Sequence, residues 1–351
     1  MSNFASDNVT AMAPEILTAL AAANEGPAMP YGADPVTARL RERFNELFET
    51  EVTVFPVATG TAANVLGLSL LTPPYGAVYC HRDAHIAVDE CGAPEFYSGG
   101  AKLVTIDGAA GKLAPQGLVA AIGGAGVVHH VQPAAVSITQ ASEAGTLYTP
   151  SQIAGISEVA RGHKLGLHMD GARFANAIAA LGCSPAEVTW KAGVDVLAFG
   201  ATKNGAMAAE AVVIFRPELA REFEFRRKRG GHLFSKGRFL SAQLEAYLTD
   251  DLWLHNAKHA NALAARLGEG LSALPGITLH HPVEANMLFL RLPQRVAEGL
   301  KAAGFMFYDW STADTGSGYR EIRLVTAFDS RSAEVGAFIA AAGDLARKPA
   351  L

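Results

Sequence analysis

The sequence predicts an α/β enzyme fold with a smaller α+β unit behind it, on three observations. Short apolar runs alternate with helical patterns through about residue 250, as in repeated strand-helix-strand units. Two of those runs end in residues suited to chemistry, Asp170 and Lys203, and open α/β sheets bind ligands at the carboxyl ends of their strands. Beyond about Asp251 the pattern changes to a long helix and then short alternating strands.

Taken in order, residues 14–23 read as a helix that Thr10 could cap, followed by a fixed loop carrying Pro30, Tyr31, Gly32 and Pro35. Residues 36–48 form an amphipathic helix with Leu40, Phe44, Leu47 and Phe48 on one stripe. A strand over 52–57 breaks into Ala58-Thr59-Gly60-Thr61 and a small-residue helix to Leu71. The unpaired amides of such a helix start suit a phosphate, with Gly60 allowing close approach and Thr61 offering a hydroxyl. Strands follow at 77–80 and 102–106, with His85 between them as either a structural histidine or a ring against a cofactor. The glycines of 122–126 read as a turn, because they follow a helical stretch and lack the register of a dinucleotide loop.

Further strands are read at 135–140, preceded by His129 and His130, at 165–169, at 194–199 and at 211–215, with helices over 149–162 and 174–181. The segment 221–232 is locally basic. Two acids interrupt it and the rest of the chain adds no basic surface, so a solvated helix face, a phosphate site or a subunit contact is favoured over nucleic acid. Short strands at 276–279, 287–292 and 321–326 close the chain. Arg323 points away from Ile322 and Leu324.

Composition bounds the function. The 351 residues are 50% hydrophobic, enough for one large core and a second smaller one, and the net charge of −5 provides no global field for nucleic acid or an anionic membrane. Cys80, Cys91 and Cys183 have neither disulfide nor metal-ligand spacing, so no metal is expected. No secretion or membrane signal is read, and a cytoplasmic location is expected.

A lysine and a carboxylate at the carboxyl ends of strands are what pyridoxal 5'-phosphate requires. The lysine amine condenses with its carbonyl, and the acid keeps its pyridine nitrogen protonated so that the ring accepts electrons. With Ser6-Asp7-Asn8, Tyr31-Gly32-Ala33-Asp34, Gly60-Thr61-Ala62-Ala63-Asn64, Asp89-Glu90-Cys91-Gly92-Ala93-Pro94, His168-Met169-Asp170-Gly171-Ala172-Arg173 and Phe199-Gly200-Ala201-Thr202-Lys203-Asn204-Gly205 added, nearly the whole chain resembles the low-specificity L-threonine aldolases.

The resemblance implies the pyridoxal-phosphate-dependent transferase fold type I. A mainly parallel seven-stranded sheet would occupy a large domain over 1–250, with its amino-terminal arm, and a small α+β domain would cover 251–351. Lys203 would carry the cofactor, Asp170 would face its ring nitrogen and His85 would lie against the ring, while Gly60, Thr61 and Thr202 would hold the phosphate. Ser6, Arg173 and Arg323 would bind the substrate carboxylate, and Tyr31 and Lys228 would come from a neighbouring subunit of a homo-oligomer, a dimer of dimers.

The implied reaction is cleavage of L-threonine, L-allo-threonine and related β-hydroxy-α-amino acids to glycine and an aldehyde. β-Elimination or transamination on the same fold is the alternative, and a non-catalytic regulator is disfavoured by retention of the lysine. Many members of the family carry a histidine just after the strand that ends here at Gln140, where this chain reads Ala141-Ser142-Glu143. The general base is then His85, His129 or an ordered water.

Overall fold

In the computed structural model, residues 2–310 and 318–347 are described. Seven strands form the large sheet: β1 Thr53–Val57, β2 Gly76–His81, β3 Lys102–Ile106, β4 Gln132–Thr139, β5 Gly166–Gly171, β6 Val196–Gly200 and β7 Glu210–Ile214. Their spatial order is β1-β7-β6-β5-β4-β2-β3. All neighbours are parallel except β7, which is antiparallel to both β1 and β6. Pro56 is tolerated in β1 because that strand is an edge, where one side needs no ladder donor.

Helices cover both faces, so the inner strands are apolar on both sides. Leu197, Phe199, Ala211 and Val213 join Phe44, Phe48, Phe174 and Trp253 in one core. Val196, Ala198, Val212 and Ile214 face the other way, onto Phe55, Leu66 and Phe223. This alternation accounts for the uninterrupted hydrophobic runs of β6 and β7.

A four-stranded antiparallel sheet follows: β8 Thr278–Leu279, β9 Met287–Pro293, β10 Tyr308–Asp309 and β11 Tyr319–Val325, in the order β10-β11-β9-β8. The helix Leu252–Ser272 serves both cores, with Trp253 and Ala257 in the first and Leu263, Leu267 and Leu271 in the second. The amino-terminal arm crosses to the small sheet. Phe4 N donates to Met306 O and Val325 N donates to Phe4 O, each at 2.8 Å, and the Phe4 ring meets Phe338 edge-on.

One local expectation fails. The helix Pro14–Ala23 has Ala13 at its N-cap with no side-chain cap, while Thr10 turns back to donate to Asp7 O at 3.2 Å. A proline at the first helical position already removes one orphan donor, which lessens the need for a hydroxyl there.

Candidate active site

The sheet gathers the site at one edge. Because β7 runs backwards between β1 and β6, Val57, Glu210 and Gly200 lie in one row across three strands. Asp170 pairs with Ala198 of β6 and with Thr139 of β4. The start of the helix Gly60–Leu71, the turn carrying Lys203 and the carboxylate of Asp170 therefore open on the same side.

Two glycines make this edge. A side-chain carbon on Gly171 would lie 2.7 Å from Ala198 O, and one on Gly200 would lie 2.6 Å from Ala172 O. Only glycine permits the two strand ends to cross so closely. Lys203 follows in the short turn Thr202–Asn204, which packs against the turn Asp7–Val9 of the arm. Asn204 anchors it by donating to Tyr247 Oη at 2.7 Å and Trp253 O at 2.9 Å.

Asp170 is buried but not isolated. Its Oδ1 accepts from Ala172 N at 3.0 Å and its Oδ2 from Asn64 Nδ2 at 2.9 Å. The same Asn64 amide donates to Glu90 Oε1 at 2.9 Å, and Glu90 Oε1 lies 2.9 Å from His85 Nδ1. A polar chain thus runs from Asp170 through Asn64 and Glu90 to His85. The hydrogen bond to Glu90 raises the pKa of His85 against an opposing desolvation, so the imidazolium is favoured. Burial pushes the Glu90 carboxyl up, partly countered by His85 and Asn64.

The residues expected to hold a carboxylate converge on the arm. Arg173 Nε and Nη2 donate to Asp7 Oδ2 and Oδ1 at 2.7 and 2.9 Å, a buried bidentate pair. Arg323 Nη2 donates to Ala5 O at 3.1 Å, and its guanidinium lies over Tyr308 and Trp310. Ser6 stands between those two anchor points, accepting from Asn8 N. Burial pushes Asp7 upward, but Arg173, Lys203 and the hydrogen bonds outweigh it and hold the carboxyl low. Burial likewise depresses Arg323, whose Nε has no acceptor among the described residues.

The residues present fit pyridoxal 5'-phosphate. Among the described residues, Asn64 Oδ1 and Glu90 Oε2 are buried without partners, and a side-chain carbon on Gly60 would meet nothing within 4 Å, leaving the helix start open to an anion. Thr59 caps that helix by accepting from Ala62 N, while Thr61 stays half-buried with the first turn. Thr202 lies in the lysine turn, its hydroxyl accepting from Ala209 N at 3.2 Å.

His129 is not brought here. It is exposed in the turn before β4, at the amino end of a strand whose carboxyl end faces Asp170. The eight residues of β4, at about 3.3 Å each, put roughly 25 Å between them. That geometry removes His129 as a base in this chain's own site. Tyr31 and Lys228 meet each other, with Lys228 Nζ 5.3 Å from the ring centroid, on an exposed surface. Asp7, Asn64 and Glu90 belong to the motifs that carried the resemblance, yet their roles depend on contacts that sequence spacing does not reveal. Glu210, buried behind the lysine turn and accepting from Ala201 N at 2.9 Å, was also missed.

Comparison with known proteins agrees with this geometry. The family model described as beta-eliminating lyase matches residues 3–313. The chain is 48% identical to the low specificity L-threonine aldolase of Pseudomonas aeruginosa, over 87% of this chain and 88% of that one. It is 45% identical to the enzyme of the same name from a Pseudomonas species, over 95% and 94%. A solved structure of Leishmania major threonine aldolase superimposes with a TM-score of 0.93 at 31% identity, covering 99% of this chain and all of that one. On the lysine turn, the buried aspartate and these matches together, the chain belongs to the beta-eliminating lyase family and, within it, groups with the low specificity L-threonine aldolases.

Proposed function

We propose that this protein is a pyridoxal-phosphate-dependent aldolase that cleaves L-threonine, L-allo-threonine and related L-β-hydroxy-α-amino acids to glycine and an aldehyde. The observation that carries the reading is the placing of Lys203, Asp170 and the open helix start at Gly60 on one edge of the sheet, in a chain of this family. Bound at Lys203, pyridoxal 5'-phosphate supplies the electron sink for breaking a bond at the α-carbon.

The chain's own residues do the rest. Asp170, fixed by Asn64 and Ala172 N, presents a carboxylate to the ring nitrogen, and His85, fixed by Glu90, offers its imidazole face to the ring. Gly60, Thr61 and Thr202 take the phosphate. Arg173, Arg323 and Ser6 take the substrate carboxylate, and two cations anchored on the arm orient the substrate so that the Cα–Cβ bond is the one aligned for cleavage.

Tyr31 and Lys228 act across a subunit boundary in a homo-oligomer built as a dimer of dimers, a role their exposure supports. We place the boundary between the large and small domains near residue 250 and the protein in the cytoplasm; no helix among the described residues is long and apolar enough to cross a membrane. Product analysis tests the function. Glycine plus aldehyde from L-threonine and L-phenylserine is expected, and keto acid plus ammonia would show β-elimination in place of Cα–Cβ cleavage.

A further inference from the structure

We infer that Glu143 is the general base of this aldolase, the group that takes the proton from the substrate's β-hydroxyl. The inference deepens the function proposed above and rests on it.

The support for Glu143 is rigid. Gln140 N donates to Asp170 O at 2.8 Å, so the turn leaves the sheet from beside the catalytic aspartate. The Gln140 side chain then clamps Tyr148 twice, donating to its O at 2.8 Å and accepting from its N at 2.9 Å. Ser142 N donates to Thr146 O at 2.9 Å, the two hydroxyls lie 2.8 Å apart, and Thr146 Oγ1 donates to Ala110 O at 2.7 Å. Gly145 closes the turn with φ +75°, where an added carbon would lie 3.1 Å from Met287 O of the small sheet. Glu143 sits in the second position of this turn, held between the two sheets.

Its carboxylate is not used by the fold. Among the described residues it makes no hydrogen bond and no ion pair, in contrast to Asp7, Glu90 and Glu210. It lines a cleft of about 480 Å³ whose other titratable walls are Asp83, Asp89, His280, His281 and Glu321. The charges that act on it from the site side include Arg173, Lys203, Asp170, His85 and Arg323. Burial pushes its pKa up against the pull of Arg173 and Lys203, which makes the carboxylate a better proton acceptor.

The other bases are committed elsewhere. His85 is held toward its protonated form by Glu90, and His129 stands at the far edge of the sheet. In the step assigned to Glu143, the carboxylate accepts the hydroxyl proton as the Cα–Cβ bond breaks. The O–H electron pair becomes the second bond of the aldehyde carbonyl. The Cα–Cβ pair stays with the glycine fragment until a proton returns to Cα.

The test compares parent and Glu143→Gln holoenzymes in four measurements: cleavage of L-threonine and L-phenylserine, exchange of the glycine α-proton in deuterium oxide, the equilibrium Kd for glycine from the cofactor absorbance, and the pH profile of kcat/KM. Cleavage is expected to fall by on the order of a hundredfold or more. Glycine Kd and exchange should stay at parent values, since neither involves a hydroxyl. The acid limb of the parent profile should disappear in Glu143→Gln and return in Glu143→His at the pH of an imidazole. Parent-rate cleavage by Glu143→Gln would overturn the inference and leave the base to water or His85. Equal losses of cleavage, exchange and glycine binding would overturn it too, as a structural defect. A parent enzyme that exchanges glycine but cleaves no β-hydroxy amino acid would remove the aldolase reading, and this inference with it.

Discussion

Asp7→Asn is the substitution whose cost the structure defines best. Asp7 and the Arg173 side chain are only 1% and 6% exposed, joined by hydrogen bonds of 2.7 and 2.9 Å, and Asn286 Nδ2 donates to the same carboxylate at 3.1 Å. Removing one partner of such a pair leaves a buried charge uncompensated, at a cost of about 3 to 5 kcal/mol. Asparagine keeps one acceptor oxygen, so a loss of about 3 kcal/mol in unfolding free energy is expected from urea titration of the apoprotein. The pH dependence has a fixed sign. The Asp7 pKa is held below its ordinary 3.8, so its contribution is present above that value and is lost as pH falls through the lower, folded value. The gap between parent and variant should therefore be flat near neutrality and close in acid. Adding Arg173→Leu to Asp7→Asn removes the stranded charge and should recover part of the stability. A single variant within about 1 kcal/mol of the parent, the scale of an exposed pair, would refute this account. So would a double variant less stable than Asp7→Asn.

Four further outcomes are expected. Asp170→Asn should retain cofactor, by absorbance, yet lose roughly a hundredfold or more in turnover, because an amide cannot stabilise the protonated ring nitrogen. Arg323→Leu should weaken substrate binding by on the order of 2 to 5 kcal/mol while leaving cofactor affinity intact, as measured by separate titrations. Glu210, pushed up by burial to about 7 from an ordinary 4.5, favours the folded state when protonated, and that advantage is lost as pH rises through 7. Apoprotein Glu210→Gln should thus gain about 3 kcal/mol relative to parent between pH 4.5 and 8 in urea titrations. His129→Ala should cleave L-threonine at the parent rate, given its place at the far edge.

The sheet was legible because its strands are covered on both faces and so appear as unbroken apolar runs. Lys203 and Asp170 stood out because each ends such a run in a polar residue. The placement of His129 failed on direction. Residues before a parallel strand lie at the edge opposite those after it, and β4 begins at Gln132. Glu210 was hidden because the antiparallel turn of β7 was not read. Only nine residues separate Gly200 from Glu210, too few for a crossover helix, and that spacing was the available signal. The chain from Asp170 through Asn64 and Glu90 to His85 joins positions up to 106 residues apart, a closure that no local pattern encodes.

The amino-terminal arm has a practical consequence. Within four residues it passes from Phe4, seated in the core of the small domain, to Asp7, locked onto Arg173 beside the lysine turn. A fusion partner or deletion at this end therefore acts on the candidate site itself, where a tag is normally assumed to be silent. Kinetic constants measured on amino-terminally and carboxyl-terminally tagged versions should diverge, and the divergence should track how firmly residues 2–7 remain docked.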